Sequence, residues 1–431
     1  MSNDNRYLFI NPCRTTFRKV YKSRGVRDPM VDLEEYNPWW VHEEDPDVEE
    51  WRDLEYRYVP SWINDLSLEP FSVNFLVGPR RVGKTLGVKL LIKELLRERE
   101  NPYEIFYFDC TMLDDQNDLS AVLREYLKLR DAKGIKGSLI FLDEVTSVRN
   151  WWKAIIDLIN RRKLRNDVVT VMGSVSVNLD RAVGRFAGRR GNGRVLEVMP
   201  LGFRDYYKLV TGVEDYFDGK GQDAFESYLQ TGGYAAYLNR RIRKGDIVGS
   251  LKADLRSLEK EKDPEIAREI LGAIISKAPS PLSYREIGEE AGVNRDTVRS
   301  YVSVLSELKV LLEIPFSQWG KEVVPKKNRK FAIRDPLMAR AFAEWSRVRI
   351  EDSVLYEWVV QEHLYRKFRE VYYFRTGEYE IDAVVPGMRV EVKSGKRGGR
   401  YPKDVIVLGG REVPRFLYGI DYSPVIEYEN V

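Results

Sequence analysis

One octapeptide constrains this chain more than any other stretch: Gly78, Pro79, Arg80, Arg81, Val82, Gly83, Lys84 and Thr85 complete the pattern G-x-x-x-x-G-K-[ST]. It follows a short apolar run, SVNFLV from Ser72, and opens a segment whose apolar residues recur at helical spacing, TLGVKLLIKELL. Strand, glycine-bounded turn and helix in that order make a phosphate cradle. The glycines let backbone N–H groups and the positive end of the helix face the anion. Lys84 is then placed to reach the outer phosphates and the Thr85 hydroxyl to ligate Mg²⁺. The expected ligands of this octapeptide are ATP and Mg²⁺.

A second motif supplies the carboxylates. Asp143 and Glu144 end the apolar run SLIFL, with Asp143 expected as an outer-sphere Mg²⁺ ligand and Glu144 as the group that orients and deprotonates the attacking water. EIFYFDC (Glu104–Cys110) and VVTVMGSVS (Val168–Ser176) read as further strands. Strands alternating with helices imply right-handed crossovers and a parallel sheet, hence an α/β fold class. IFYFD lies between the two motifs, which separates this layout from the simplest arrangement, where the two motif strands are neighbours. It points to the additional-strand branch with a catalytic glutamate. Ser174, closing VVTVMGS, is positioned to contact the γ-phosphate or the water. Four arginines crowd the next loop (Arg185, Arg189, Arg190, Arg194). One of them is a candidate arginine finger, supplied in trans if the chain oligomerises; a solvated basic loop is the competing reading.

Composition narrows the chemistry. With only two cysteines (Cys13, Cys110) and two histidines (His42, His363), a disulfide framework, a Cys/His zinc site and an iron–sulfur cluster are excluded. Chemistry must rest on carboxylates, lysines and arginines. The net charge of +3 is too small to announce nucleic-acid binding by itself. No apolar run approaches the roughly 20 residues that cross a bilayer, and MSNDNRYLFI does not read as a signal peptide, so no membrane partner and a cytoplasmic location are expected. A length of 431 residues suits about two to four domains.

Upstream of the octapeptide, EEYNPWWVHEEDPDVEEW (Glu34–Trp51) sets Trp39 and Trp40 beside a carboxylate run. It reads either as a solvated acidic arm anchored by two aromatics or as a segment lying over the nucleotide. Downstream of Pro200 the strand signals stop, and residues 203–277 read as mostly helical. Ser280–Ile314 reads as helix, short turn, helix, with Gly292 ending the first and Asn294 capping the second. Arg295, Asp296, Thr297, Arg299 and Ser300 fall on the first turns of that second helix, suited to a DNA groove or equally to a protein contact.

The last segment carries Asp382 in YEIDAVV and, nine residues on across a Pro386-Gly387 turn, Glu391-Val392-Lys393 in RVEVKS. Strand alternation puts Glu391 and Lys393 on one side. Glu357, on a preceding helix, completes the set, with Glu362 as its rival. Three carboxylates and a lysine fit a Mg²⁺ site that cleaves phosphodiesters: Glu357, Asp382 and Glu391 as ligands, Lys393 positioning the water. Lys396, Arg397, Arg400 and Lys403 follow as candidate phosphate contacts. A surface ion pair is the plainer alternative.

NPWW (Asn37–Trp40), GPRRVGKT, LIFLDEV, VMGSVS, the GRR loop with VMPLGFRDY, and LQTGGYAAYL together resemble archaeal AAA+-type P-loop ATPases with a C-terminal extension, over nearly the whole chain. That resemblance implies a helical lid after Phe203, a winged helix for the helix-turn-helix, Arg189 as the finger, and a C-terminal restriction-endonuclease-like domain of PD-(D/E)XK type. The expected organisation is an arm (1–66), a P-loop ATPase core (67–202), a lid (203–277), a winged helix (278–346) and a nuclease-like domain (347–431). The expected activity is ATP hydrolysis acting on or regulated by DNA. The alternative is a nucleotide-dependent switch or scaffold that recruits a protein partner and carries an inactive C-terminal domain.

Overall fold

The computed structural model describes residues 32–173, 182–258, 261–320, 322–393 and 400–426. Its first helix, α1 (Pro46–Arg52), starts where Pro46 occupies the first turn and the Asp45 carboxylate accepts from Asp47 N at 2.9 Å. There follow β1 (Ser72–Val77), α2 (Lys84–Glu98), β2 (Ile105–Asp109), α3 (Gln116–Ala132), β3 (Leu139–Asp143), α4 (Trp151–Asn160), β4 (Val168–Met172) and β5 (Val195–Glu197). Every residue of β1, β3 and β4 is buried, as their unbroken apolar runs require of central parallel strands.

Their order in the sheet is β5-β1-β4-β3-β2, all parallel. The strand that separates the octapeptide strand β1 from the Asp143 strand β3 is therefore β4. IFYFD (β2), which intervenes between the motifs in sequence, lies at the sheet edge. Sequence order cannot reveal this, because each crossover helix is free to return its strand on either side.

The edge at β2 is covered by the NPWW segment. Asn37 Nδ2 donates to the carbonyls of Leu33 (2.7 Å) and Tyr107 (3.1 Å), while its Oδ1 accepts from Tyr107 N at 2.7 Å. Trp39 and Trp40 both direct their indole N–H to the Ile105 carbonyl, at 3.2 and 3.0 Å. One side-chain amide thus mimics the backbone of a missing strand and blunts an edge that would otherwise invite pairing. The two tryptophans sit within the hydrophobic core of this first unit, with Trp40 stacked on Tyr103.

After β5 the chain turns helical: α5 (Phe203–Thr211), α6 (Asp218–Thr231), α7 (Lys244–Arg256) and α8 (Pro264–Lys277). The pair α9 (Tyr284–Ala291) and α10 (Arg295–Glu307) meets at Gly292, which adopts a left-handed φ of 68°. Asn294 caps α10 by accepting from Thr297 N at 2.8 Å. The antiparallel strands β6 (Leu311–Ile314) and β7 (Lys330–Ile333) follow, then α11 (Pro336–Ser346) and the long α12 (Asp352–Phe368). The last sheet holds β8 (Tyr372–Arg375), β9 (Glu380–Val385), β10 (Met388–Lys393) and β11 (Ile406–Gly409), in the order β11-β10-β9-β8. Its fourth strand, β11, was not among the three expected from the sequence and runs parallel to β10. After α13 (Val413–Tyr418), β12 (Val425–Ile426) returns to the first sheet and pairs antiparallel with β5. No helix among the described residues is long and apolar enough to cross a membrane.

Two hydrophobic cores result. One spans Leu33 to Val198 and the other Leu201 to Ile420, so the helical region, α9–α10 and the C-terminal sheet share a single core. Glu197 lies where they meet. It pairs with Arg334 (3.3 Å), Lys309 (3.6 Å) and Arg369 (2.6 Å), and Arg334 in turn pairs with Glu362 at 2.9 Å. Burial opposes the Glu197 charge, yet these cations outweigh it and hold the carboxyl down at about 2. His363 is structural, accepting from Phe203 N at 2.8 Å while its other ring nitrogen meets the Val359 carbonyl.

Because Asn37 is the partner of both Tyr107 backbone groups, Asn37→Ala leaves a buried donor and acceptor unpaired. It is expected to cost about 2–4 kcal/mol, read as a lower urea midpoint at constant m-value.

Candidate functional site

The octapeptide forms the turn from β1 into α2. Gly78 has no room for a side chain, since a Cβ there would lie 2.0 Å from the Val198 carbonyl oxygen. Gly83 adopts a φ of 93° with open space around it, and no side chain caps α2. The first N–H groups of α2 are thus available to an anion. Lys84 is buried and folds back, donating to the carbonyls of Gly78 (2.9 Å) and Pro79 (2.8 Å). Burial lowers its pKa, against the pull of Glu144 and Asp143.

β3 delivers Asp143 to the same place. Thr85 Oγ1 donates to Asp143 Oδ2 at 2.6 Å, Tyr107 donates its hydroxyl to that oxygen at 3.0 Å, and Glu144 N donates to Oδ1 at 2.8 Å. Burial pushes the Asp143 carboxyl up to about 6, with the Thr85 hydroxyl opposing and the Glu144 charge adding. A hydroxyl and a carboxylate converging on one point are the hard oxygen donors that Mg²⁺ takes alongside phosphate oxygens, so these residues fit the ion. Glu144 follows with a left-handed φ of 49°, a conformation that costs a non-glycine residue about 1 kcal/mol or more and aims the carboxylate into the cleft rather than along the strand.

That cleft has a volume of about 930 Å³ and is lined by Thr85, Lys89, Tyr107, Asp143, Glu144 and the rim of the acidic segment from Glu34 to Asp47. The aromatics of the acidic segment anchor in the core and its carboxylates border the cleft. Lys89 on α2 ties them in, pairing with Asp45 (3.1 Å) and Asp47 (2.5 Å). On the opposite side, Arg80 pairs with Asp254 on α7 at 2.5 Å, and Arg81 Nε donates to Ser250 Oγ at 3.1 Å. The two loop arginines thus fasten the phosphate cradle to the helical region. Burial pushes the Asp254 carboxyl up to about 6 despite Arg80.

Other expected site residues fall elsewhere. Ser174 lies outside the described residues, as do Lys396 and Arg397. Arg189 is exposed and does not line the cleft. Arg185 lies over the Trp152 ring at 4.0 Å, and Arg194 donates to the Asp65 carbonyl at 3.1 Å. On α10, Arg295, Asp296, Arg299 and Ser300 are exposed, with Ser300 Oγ accepting from Lys262 at 2.6 Å.

The C-terminal residues do come together. Glu357 on α12 faces Asp382 on β9, whereas its rival Glu362 points the other way to Arg334 and Arg366. Lys393 pairs with Glu391, whose Oε1 also accepts from the Tyr401 hydroxyl at 3.1 Å. Between Glu357 and Asp382 stands a residue that sequence reading missed: Lys330 of β7, with Nζ 2.8 Å from Glu357 Oε1, 2.8 Å from Asp382 Oδ1, and paired with Glu380. Among the described residues no group of three or more His, Cys, Asp or Glu is arranged to hold a metal ion. Where a metal was expected on Glu357, Asp382 and Glu391, an ammonium lies at the point on which Glu357 and Asp382 converge. Tyr107 was missed as well, although strand alternation places it on one face with Asp109; nothing local marks Lys330.

Residues 70–207 match the family model of an AAA domain, so the stretch carrying Lys84, Thr85, Asp143 and Glu144 is an AAA domain, a P-loop ATPase module. Residues 222–349 match a domain of unknown function (DUF8612). No curated protein matches the chain. Similar solved structures include the Orc1 protein of Aeropyrum pernix in complex with DNA, at 16% identity over 63% of this chain and 86% of that one, with a TM-score of 0.31. A variant of Thermotoga maritima RuvB is 16% identical over 59% and 85%, with a TM-score of 0.29. A structure on katanin self-assembly is 14% identical over 80% and 99%, with a TM-score of 0.24. Scores this low add nothing to what the sheet order and the site already establish.

Tyr107→Phe removes one of the two hydroxyls that hold Asp143 Oδ2. ATP affinity in EDTA is expected to stay unchanged, while the gain in affinity on adding Mg²⁺ falls by about tenfold, one charge-assisted hydrogen bond. Calorimetry with and without the metal reads both.

Proposed function

We propose that the chain is an AAA+-type ATP hydrolase whose turnover is coupled to DNA through α9 and α10. The observation that carries the reading is the convergence of Thr85, Asp143 and Glu144 on one cleft at the C-terminal ends of β1 and β3, with Lys84 in the adjoining loop and within electrostatic reach of both carboxylates. ATP would place its phosphates in the loop from Gly78 to Gly83, against the uncapped start of α2, with Lys84 leaving the carbonyls of Gly78 and Pro79 for the outer phosphates. Thr85 and Asp143 would hold Mg²⁺, which offsets phosphate charge when bound. Glu144 orients the attacking water and takes its proton as the water oxygen bonds to the γ-phosphorus and the bond to the bridging oxygen of ADP breaks. Arg189, exposed on its own chain, suits a finger offered to the cleft of a second copy, and Ser174 a γ-phosphate contact.

In this reading α9, α10 and the β6–β7 hairpin form a winged helix, the helices from α5 to α8 a lid, and the sheet β8–β11 under α12 a restriction-endonuclease-like fold. Exposed Arg295 and Arg299 at the start of α10 are its DNA contacts. The competing reading is a nucleotide-dependent switch that recruits a protein partner, and one observation favours it: the C-terminal carboxylates are taken up by Lys330.

ATP hydrolysis measured with and without duplex DNA separates the two. Stimulation by DNA that disappears in Lys84→Ala and Glu144→Gln supports the first; slow, DNA-indifferent turnover with a nucleotide-dependent change in oligomeric state supports the switch. For DNA contact, Arg295→Ala with Arg299→Ala is expected to weaken binding and reduce the salt slope by about one per arginine. An unchanged slope removes DNA from the function of α10.

A further inference from the structure

The carboxylate pocket beneath α12 contains a cation of its own. Lys330 arrives from β7, in the unit that carries α9 and α10, and is 1% exposed. Its ammonium spends its donors on Glu357, Asp382 and Glu380. Neighbouring amides share these acceptors. Gln361 Nε2 donates to Glu357 Oε1 at 2.8 Å and to the Asp382 carbonyl at 2.9 Å, and Val392 N donates to Asp382 Oδ2 at 2.9 Å. A divalent ion needs direct contact with Glu357 and Asp382 together, and the point 2.8 Å from an oxygen of each is where Nζ stands. Two cations do not share that point. Glu391, beside them, is paired with an ammonium of its own, Lys393, and its Oε2 is buried with no hydrogen-bond partner among the described residues. Burial first, and then the charge of Asp382, push the carboxyls of Glu357 and Glu391 above the usual range.

We infer that Lys330 is the resident cation of this pocket, so that the folded chain holds no divalent ion there, cleaves no phosphodiester with it, and uses the pocket to fasten the β6–β7 hairpin to the C-terminal sheet. The inference rests on the geometry of the cluster and is independent of ATP hydrolysis at the P-loop. The endonuclease-like reading enters only in naming the chemistry that is blocked.

Mn²⁺ binding to the nucleotide-free, full-length chain, followed by electron paramagnetic resonance, tests it. Wild type and Asp382→Asn are expected to bind the same number of ions. Lys330→Gln, which keeps the length of the side chain close and removes the charge, is expected to gain one ion per chain, and Lys330→Gln with Asp382→Asn to lose it again. A wild-type ion that disappears in Asp382→Asn overturns the inference, as does Asp382-dependent cleavage of DNA in Mn²⁺. A folded Lys330→Gln chain that gains no ion overturns the claim that the ammonium holds the cation position. If Lys330→Gln fails to unfold cooperatively, comparing wild type with Asp382→Asn and Glu357→Gln still decides whether the native pocket takes a metal.

Discussion

The two halves of this protein meet on one buried carboxylate. Glu197 ends β5, the strand beside the octapeptide strand, and is matched by cations that follow directly on α10, β7 and α12. Burying such a charge is costly unless it is well paired, and removing a single partner from a buried pair costs about 3–5 kcal/mol. The arrangement therefore specifies more than it stabilises. A hydrophobic seam between the two cores would tolerate sliding, whereas four charges at fixed positions accept one registry.

Strand β7 and the residue just after it bring two basic side chains to opposite duties. Arg334 reaches Glu197 and Glu362 at the seam, and Lys330, four residues earlier, fills the carboxylate pocket of the last sheet. α12 mirrors this, with Glu357 at one end for the pocket and Glu362, Arg366 and Arg369 further along for the seam. The helix-turn-helix unit is thus held between the AAA domain and the C-terminal sheet by ionic contacts at both ends. The phosphate cradle adds a third tie through Arg80 and Asp254.

What the sequence made legible was local. The cradle, the apolar central strands, the end of α9 at Gly292 and the start of α10 at Asn294 each depend on residues within a few positions, where backbone geometry and capping chemistry decide the outcome. Asp382, Glu391 and Lys393 were legible for the same reason, being joined by one turn. The rest depends on distant pairs. That β4 and not β2 lies beside β1 is a choice of crossover, made by packing of whole helices. Tyr107 joins the site only because β2 pairs with β3, and Lys330 reads as one more lysine in KKNRK until β7 is laid against α12. The NPWW segment looked like an aromatic anchor, and its amide proved to be the larger matter, because Asn37 substitutes for a strand.

β12 adds one consequence. Both edges of the nucleotide-binding sheet are closed by segments from outside the stretch 70–207: the Asn37 region on β2 and Val425–Ile426 on β5. The partner of β5 is more than two hundred positions away in sequence and follows every other element of the described chain, so on a ribosome the AAA domain would wait with one edge unpaired until Val425 had emerged. Completion of the sheet that carries the octapeptide is in this way timed by the segment that follows it in sequence.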